Sequence, residues 1–370
     1  MAKITIPCHW NREIIDRIVA IPQENDLAVS EVYGALPKGG PVGHGRAAES
    51  VVQVNAEEAL SFRKYLASVG LKLTYLLNAP FDIKNEPENK RQLQDYLGWI
   101  LGELKPEAVT ITSHALMQEV RKLDPEIDIH VSTIAGVKNA KDLEQYLDVH
   151  PNRVVPHHDV GKDWESLKEL TAKAKENGVE IEMMATESCL LHCPNREAHY
   201  KHLGSQRSQD APFHTTCNTR KLLKPRELLL AGGIIRPEDV HLYEEMGVDY
   251  IKITGRSKPA GWLPEVVEAY TARKYEGNLV RLLGIDPSLK AEDWIKLDNA
   301  SLDGFLKGFP QGEGYRSQSV YCEEWITGLY AQGNYQLTDG SSYSIEGNSL
   351  RLNMPYGDKA GSIISRESEK

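Results

Sequence analysis

Long apolar runs and an excess of positive charge are both missing from this sequence. No stretch approaches the roughly 18 to 20 consecutive apolar residues that a helix needs to cross a bilayer. The 43 Lys and Arg residues are outnumbered by 53 Asp and Glu residues, which gives a formal net charge of −10. Because phosphate binding requires a basic surface, this composition argues against nucleic acid as a main partner. The first residues also lack a secretory signal pattern, so we expect a cytoplasmic protein with no membrane association.

Cysteine is scarce, and several common catalytic motifs are absent. The chain has five cysteines among 370 residues. In a reducing compartment a small set of clustered cysteines more often indicates metal binding or catalysis than disulfides. No GxSxG elbow, HExxH helix or GxxxxGK[ST] loop occurs in the sequence. The signatures of a serine hydrolase, a zinc peptidase and a P-loop nucleotide site are therefore missing.

Short apolar segments alternate with helical patterns along most of the chain. Eight strand-like segments occur, from "KITIPC" (3–8) to "DYIKITGR" (249–256). Such alternation predicts an α/β fold, a TIM-like (β/α)8 barrel over residues 1–275. An open doubly wound sheet is the alternative, disfavoured because no GxGxxG follows the first strand. Residues 276–370 lose the alternation, and we expect a C-terminal extension that packs on the barrel and supplies a cysteine.

Three of the cysteines fall within one connection between predicted elements. Cys189 and Cys193 follow the strand predicted at 179–186, and Cys217 lies further along the same connection. Active sites of such barrels lie at the carboxyl ends of the strands. We expect the segment after the strand to be helical, so that a spacing of four places both sulfurs on one face. Three thiols here and one from elsewhere would make a four-thiolate site for zinc or an iron–sulfur cluster. The alternative is a pair of buried structural cysteines.

Other polar residues also lie near predicted strand ends. Arg256 ends the last strand, where it can either hold a carboxylate through two hydrogen bonds or form an internal salt bridge. His157 and His158 end the strand at 152–157, so one of them should face the mouth, as a proton carrier or as a loop residue. Glu187 follows its strand and is expected nearer to the mouth than Glu182. The sequence gives three further residues structural roles: His44, Asn78 and Thr133.

The order of several segments resembles a known family. The segments are "CLLHCPNREAHY", "IDIHVSTIAGV" and "RPEDVHLYEEMGVDYIKITGR", and the likeness runs from residue 3 to about residue 275. Together they resemble the peptidase U32 family, also called collagenase-like peptidases. The branch that this sequence resembles consists of oxygen-independent [4Fe-4S] hydroxylases, for which prephenate is implicated as the oxygen donor. Some members of the family pair with a related barrel.

The resemblance implies cluster ligands, with two departures from the commoner family pattern. Cys189, Cys193 and Cys217 match ligand positions by order along the chain. The first pair is separated by three residues rather than six, and the cysteine usually found before the "RPEDV" helix is missing. The fourth ligand must then come from elsewhere. We predict Cys322 in the C-terminal extension, with Cys8 as its rival.

The resemblance also sets the expected function. We expect a [4Fe-4S] redox or hydroxyl-transfer enzyme that acts on a small or carboxylate-bearing substrate, with a prephenate-like donor. Zinc is the alternative cofactor. The alternative functions are a non-catalytic cluster-binding subunit of a homo- or hetero-oligomer and, less favoured, a peptidase that uses Cys189 with His192. An enzyme should keep an open polar cavity beside the cluster, whereas a scaffold subunit should have that mouth filled.

Overall fold

The computed structural model describes most of the chain, with seven continuous ranges. These are 1–22, 27–38, 40–83, 86–204, 211–284, 291–312 and 314–354. The side chain of His214, a candidate from the sequence because it lies near Cys217, is outside the described residues. No helix in the described ranges is long and apolar enough to span a membrane.

Eight parallel strands form a closed barrel in chain order, and β8 pairs with β1 to close it. The strands are β1 (Lys3–Pro7), β2 (Val29–Gly34), β3 (Lys72–Leu77), β4 (Ala108–Ile111), β5 (Asp128–Val131), β6 (Arg153–Val154), β7 (Glu180–Met184) and β8 (Tyr250–Lys252). At the closure Ile4 lies opposite Ile251. The prediction of a TIM-like (β/α)8 barrel is confirmed.

Helices of very different lengths connect and cover the strands. They are α1 (Arg12–Val19), α2 (Ala56–Ser68), α3 (Pro87–Trp99), α4 (His114–Leu123), α5 (Ala140–Glu144), α6 (Trp164–Glu176), α7 (Arg196–Gly204), α8 (Ala211–Leu223), α9 (Arg226–Leu230), α10 (Val240–Glu245), α11 (Leu263–Thr271), α12 (Ala291–Trp294) and α13 (Gly314–Ala331). Side chains at the N-cap position begin several of these helices. Asn55 and Glu58 form a reciprocal capping box at the start of α2, which satisfies two backbone donors that would otherwise be free.

Charged side chains fill part of the barrel interior, where an apolar core is usual. Arg153 lies 3.0 Å from Glu31, and Lys252 lies 3.2 Å from Glu182. All four side chains are buried. Burial alone would raise the pKa of Glu182, but the charges of Lys252 and Arg153 hold it below its ordinary value. Opposite charges therefore compensate one another in this layer beneath the mouth, as buried ions require.

Beyond the barrel, the chain forms two small sheets and the long helix α13. β9 (Ile295–Leu297) pairs with β10 (Tyr335–Leu337), and β11 (Ser342–Glu346) forms a hairpin with β12 (Ser349–Asn353). Gly347 turns this hairpin with a φ of 61°, as the Glu-Gly pair in the sequence predicts. α13 packs on α9, and its buried side chains include Cys322, Ile326 and Leu329. Their spacing makes one apolar stripe along the helix.

Candidate functional site at the barrel mouth

The carboxyl ends of the strands surround a cavity of about 90 Å³, which we call the mouth cavity. Seven of the eight strands or the turns directly after them contribute to its wall. The strand-end residues in the wall include Tyr33, Leu76, Asn78, Thr110, Ser132, Thr133, Val155, His158, Met184, Glu187, Lys252, Thr254, Gly255 and Arg256. Polar groups from many strands thus converge on one small space, the usual arrangement of a barrel active site.

Arg256 brings a partly buried positive charge to this cavity. Its guanidinium donates to the backbone oxygen of His44 at 2.7 Å and to His44 Nδ1 at 3.2 Å. Because a guanidinium only donates, His44 Nδ1 is the acceptor and the ring proton is on Nε2. Burial, and next the charge of Arg46, lower the pKa of Arg256 to about 9, so it stays charged at neutral pH. Among the described residues, no carboxylate forms a salt bridge with it.

Three buried polar atoms in the same wall have no hydrogen-bond partner within the described ranges. They are Asn78 Oδ1, Thr110 Oγ1 and His158 Nδ1. A buried polar atom left without a partner costs about 1–3 kcal/mol. Native proteins keep few such atoms, so each needs an explanation such as a ligand or a bound water. Their convergence with Arg256 on one cavity favours a small polar molecule that carries a negative charge.

The two adjacent histidines have different positions. His158 lines the mouth cavity, and its Nε2 lies 2.8 Å from the hydroxyl of Tyr200. Burial, and next the charge of Arg196, lower the pKa of His158 well below its ordinary value. His157 lies beside the cavity wall, where its Nδ1 accepts from the backbone N–H of Asp159 at 3.2 Å. The mouth-facing member of the pair is His158, and it is neutral at physiological pH.

The three cysteines of the long connection line a second cavity of about 120 Å³, which we call the cysteine cavity. Cys189, Cys193 and Cys217 are each partly exposed to it. Lys221 and Arg220 on α8 are also in its wall. The topology therefore brings these thiols together across 28 residues of chain.

The local structure around the first pair differs from the sequence-based expectation. A helix that carries both Cys189 and Cys193 is wrong, because α7 begins only at Arg196. His192 has a left-handed φ of 49°, and Pro194 follows two residues later, so the backbone cannot continue a helix here. The shared cavity, and not helical periodicity, is what places the two thiols together.

One carboxylate fixes this cysteine loop to the strand β6 side of the mouth. Asp159 accepts from the backbone N–H of His192 at 3.1 Å and from the guanidinium of Arg196 at 3.2 Å. Arg196 donates in turn to the backbone oxygen of Leu190 at 2.5 Å. On the other side of the loop, Lys221 donates to the hydroxyl of Ser188 at 2.9 Å. Asp159 and Lys221 were not candidates from the sequence, because each lies 33 residues along the chain from the loop residue that it holds.

The two cavities share part of their walls. Four described residues line both cavities: Arg46, Glu187, Cys189 and His199. Glu187 lies 3.2 Å from Arg46, and this ion pair stands between the two spaces. Glu182, the other sequence candidate among the acids, belongs to the buried charged layer of the interior. A group held by the thiols would therefore lie next to any molecule in the mouth cavity.

The thiols match an iron–sulfur group in chemistry and are one fewer than a full four-thiolate set. Thiolates are the ligands that iron–sulfur clusters use. Burial, and next the charge of Glu187, raise the pKa of Cys189 to about 12, so binding a metal there must release a proton. Within the described part of the chain, no three His, Cys, Asp or Glu side chains are arranged to hold a single metal ion.

The other two cysteines lie elsewhere. Cys322 is fully buried on α13, near Lys162 and Arg226. Cys8 is buried after β1, where an added Cβ at Gly34 would meet its Cβ at 2.6 Å. Neither belongs to the described lining of the cysteine cavity. The assignment of Cys322 or Cys8 as a fourth ligand stays a prediction.

Comparison with known proteins identifies relatives along most of the chain. The family model for peptidase family U32 matches residues 29–277. An "Uncharacterized protease MJ1657" of Methanocaldococcus jannaschii is 26% identical over 303 residues, which cover 80% of this chain and 86% of that protein. A "tRNA hydroxylation protein P1" of Bacillus subtilis is 23% identical over 198 residues, which cover 50% of this chain and 46% of that protein.

Among solved structures, the U32 peptidase Mk0906 is similar at 12% sequence identity and a TM-score of 0.49. That similarity covers 69% of this chain and 94% of the other. The match of the family model extends over more than half of the sequence and includes the cysteine loop and all strands from β2 to β8. This chain belongs to peptidase family U32.

Proposed function

We propose that this protein is a [4Fe-4S]-dependent, oxygen-independent redox or hydroxyl-transfer enzyme that acts on a small carboxylate-bearing molecule. Cys189, Cys193 and Cys217 are the proposed cluster ligands, and Arg256 is the proposed carboxylate ligand. The observation that carries the proposal is the common wall of the two cavities, since Cys189 lines both. A cofactor that takes part in a reaction has to lie beside the substrate, and this wall provides that proximity.

The mouth cavity is an unfilled space of about 90 Å³. Within the described ranges, no residue after Arg256 belongs to its lining. The described part of the C-terminal extension therefore does not fill the mouth cavity. A non-catalytic subunit would be expected to have this space filled by its own side chains. The open, polar mouth favours an enzyme, and pairing with a related barrel stays a prediction.

The residues of the mouth can bind and orient a hydroxylated carboxylate. Arg256 can donate two parallel hydrogen bonds to a carboxylate, and its partial burial strengthens both of them. Thr110 and Asn78 can hydrogen-bond a hydroxyl or carbonyl of the same molecule. His158 is neutral and hydrogen-bonded to Tyr200, so it can accept or pass a proton through its free Nδ1.

When bound, a [4Fe-4S] cluster supplies one-electron transfer and a Lewis-acidic iron beside this site. The proposed overall reaction is balanced without oxygen. A donor D–OH and a substrate R–H become D–H and R–OH, so the hydroxyl group and a hydrogen exchange partners and no external electrons are consumed. A prephenate-like molecule is the proposed donor. The similarity to a protein named for tRNA hydroxylation supports this class of reaction, whereas a net charge of −10 favours a small substrate over tRNA.

The family name and one relative's name also raise peptidase activity as an alternative. A cysteine nucleophile needs a lowered pKa and a neighbouring base. Burial raises the pKa of Cys189 to about 12, which keeps the thiol protonated at neutral pH. Cys189 therefore lacks the environment of an activated nucleophile, and hydrolysis leaves the other two thiols of the cavity without a role.

Anaerobic purification tests the proposal. Iron and acid-labile sulfide should each approach about four per chain, with broad absorbance at roughly 400 nm. The loaded protein should then bind prephenate, used as the probe carboxylate, and binding should perturb the cluster spectrum. One zinc per chain without sulfide would contradict the cluster. A loaded protein that is indifferent to prephenate and to other small carboxylates would instead support the scaffold subunit.

A further inference from the structure

We infer that this chain binds its cluster with three thiolates only, from Cys189, Cys193 and Cys217, and leaves the fourth iron to a small exchangeable ligand from the mouth cavity. This inference rests on the proposed function, because it presupposes a cluster. It goes further by assigning Cys322 and Cys8 a structural role, and by giving the cluster a substrate-binding position in place of a fourth cysteine.

The position of Cys322 is explained by packing alone. It is 0% exposed, and it lies on the apolar stripe of α13 with Ile326 and Leu329. A free cysteine commonly occupies such a position as a small apolar side chain. Near it, Arg226 and Glu323 form an ion pair at 2.5 Å, which fixes α13 to the start of α9. To reach the cysteine cavity, Cys322 would have to leave this packed interface.

Cys8 is held just as firmly, directly after the carboxyl end of β1. Its backbone N–H donates to the oxygen of Tyr33 at 2.9 Å, so its position is set by the pairing of β1 with β2. Its Cβ lies against Gly34, where even one added carbon would overlap. Burial raises the pKa of its thiol to about 12, as expected for an inert structural cysteine.

The remaining acid in the wall of the cysteine cavity is already engaged. Glu187 is the only carboxylate in the described lining of that cavity, and it pairs with Arg46 at 3.2 Å. Giving it to an iron would leave the Arg46 charge partly buried without this partner, which is costly. The described residues of the cavity therefore include three thiols and no carboxylate without a basic partner. Its one described histidine, His199, is stacked on Phe213 with ring centroids 4.7 Å apart.

The mouth cavity lies on the side of the thiols from which an exchangeable ligand can arrive. Cys189 lines both cavities, and the mouth contains Arg256 and three unpartnered polar atoms, from Asn78, Thr110 and His158. A small anion bound there can contribute an oxygen ligand. Metal sites with a complete protein ligand set tend to be structural, whereas catalytic sites keep a position open for water or substrate, as zinc sites illustrate. By the same reasoning, a cluster site that lacks one cysteine and lies beside an anion site keeps one iron open for a substrate.

The test compares single cysteine variants of the full chain after anaerobic reconstitution. Cys322→Ser, Cys8→Ser and the double variant should retain about four irons and four sulfides per chain and the wild-type absorbance. Cys217→Ser, the matched control, should lose most of its iron. Cys322→Ala and Cys8→Ala, compared by thermal melting, separate loss of folding from loss of a ligand.

Two measurements on the wild type address the open iron directly. Brief oxidation with ferricyanide should remove one iron and give the electron paramagnetic resonance signal of a three-iron cluster. Cyanide, as a probe ligand, should change the spectrum of the reduced cluster. A wild type that takes up no iron and sulfide would refute the proposed function. A loaded wild type whose folded Cys322 or Cys8 variants lose the cluster, or that keeps four irons on oxidation and ignores cyanide, would overturn the present inference alone.

Discussion

The mouth cavity and the cysteine cavity are neighbours, but the chain builds them in different ways. The mouth is formed by strand ends from nearly the whole barrel, so its side chains are fixed by a closed sheet. The cysteine cavity is formed mainly by one connection, from Glu187 to Lys221, that leaves the barrel after β7. Loops tolerate change better than the scaffold that carries them. A ligand cysteine can therefore be gained or lost in the connection while the binding mouth is kept.

The two cavities also differ in how their charges are compensated. In the barrel interior each buried acid has a basic partner, as Glu31 has Arg153. At the mouth, Arg256 has the backbone and ring of His44 but, among the described residues, no carboxylate. A buried charge without an opposite charge destabilises the folded protein until a ligand compensates it. The charge at the mouth therefore favours binding of an anion there, whereas the three thiols of the cysteine cavity are the basis on which we propose a cofactor site.

The largest expected effect separates the two cavities. In Cys193→Ser, the cysteine cavity loses one of three thiols, so iron and sulfide per chain should fall to a small fraction of the wild-type values. The mouth contains no atom of Cys193, so prephenate should still bind to the metal-free variant about as well as to metal-free wild type. Iron analysis and isothermal titration calorimetry measure the two properties.

Simultaneous loss of both properties in a folded Cys193→Ser variant would mean that the cavities are one cooperative unit. The two cavities would then not be independent, because a thiol outside the mouth cavity would affect ligand binding inside it.

The next effect belongs to Arg256. Arg256→Gln should weaken binding of a carboxylate probe by about 10- to 100-fold, since a charge-assisted hydrogen bond contributes about 1.5–3 kcal/mol. The absorbance of the cluster should not change. Thermal stability of the ligand-free protein should stay level or rise, because the substitution removes a partly buried charge that has no carboxylate partner among the described residues. Calorimetry, absorbance and thermal melting test these points, with exposed Arg91→Gln as the control.

Loss of the cluster in Arg256→Gln, with carboxylate binding unchanged, would reverse the roles given to the two cavities. Unfolding of the variant would mean that Arg256 is structural.

Asp159 tests how the cysteine loop is held. Asp159→Asn weakens the acceptor for the His192 N–H and for Arg196, so we expect a loss of about 1–3 kcal/mol in stability and faster removal of iron by a chelator. Asp148→Asn, which removes an exposed pair with His114, is the control and should have little effect. Chelation rates equal to wild type would show that Asp159 does not position the thiols.

The pH dependence of the same contact follows from the charges around it. Burial alone would raise the pKa of Asp159, but Arg196 and His157 lower it below its ordinary value. An acid whose pKa is lower in the folded state contributes stability above its unfolded pKa and loses it as pH falls through the folded pKa. The difference in stability between wild type and Asp159→Asn should be largest at neutral pH and should vanish in acid. Equal differences in melting temperature at all pH values would contradict this.

The smallest expected effect concerns an unpartnered hydroxyl of the mouth. Thr110→Val removes a buried oxygen without changing the shape of the side chain much. Ligand-free stability should stay the same or rise slightly, while affinity for prephenate should fall by a few-fold because one hydrogen bond is lost. Calorimetry and thermal melting detect both changes. Weaker stability together with unchanged affinity would show that Thr110 has a partner within the protein.

Local patterns in the sequence predict the barrel but not the contacts of the mouth. The alternation of strands and helices identifies all eight strands, because periodicity is a property of neighbouring residues. The three clustered cysteines are visible for the same reason. The pairing of Arg256 with His44 spans 212 residues, and that of Arg46 with Glu187 spans 141, so no local pattern reports them.

The closed barrel also brings together residues to which the sequence assigns structural roles. Asn78 and Thr133 line the mouth cavity and His44 accepts hydrogen bonds from Arg256, while their structural roles stay predictions. One local prediction is wrong. The periodicity of the cysteine segment suggests a helix that His192 and Pro194 interrupt. Arg46 is missed, although its place in the glycine-rich loop after β2 is a usable signal for a residue near a barrel mouth.

The most direct test of the account is a crystal structure of anaerobically purified protein, with anomalous scattering recorded at the iron edge. We predict an iron–sulfur cluster among Cys189, Cys193 and Cys217, beside Arg256, with its fourth iron bound by a non-protein ligand. A single zinc ion, an empty cysteine cavity, or a cluster whose fourth ligand is Cys322 or Cys8 would contradict it.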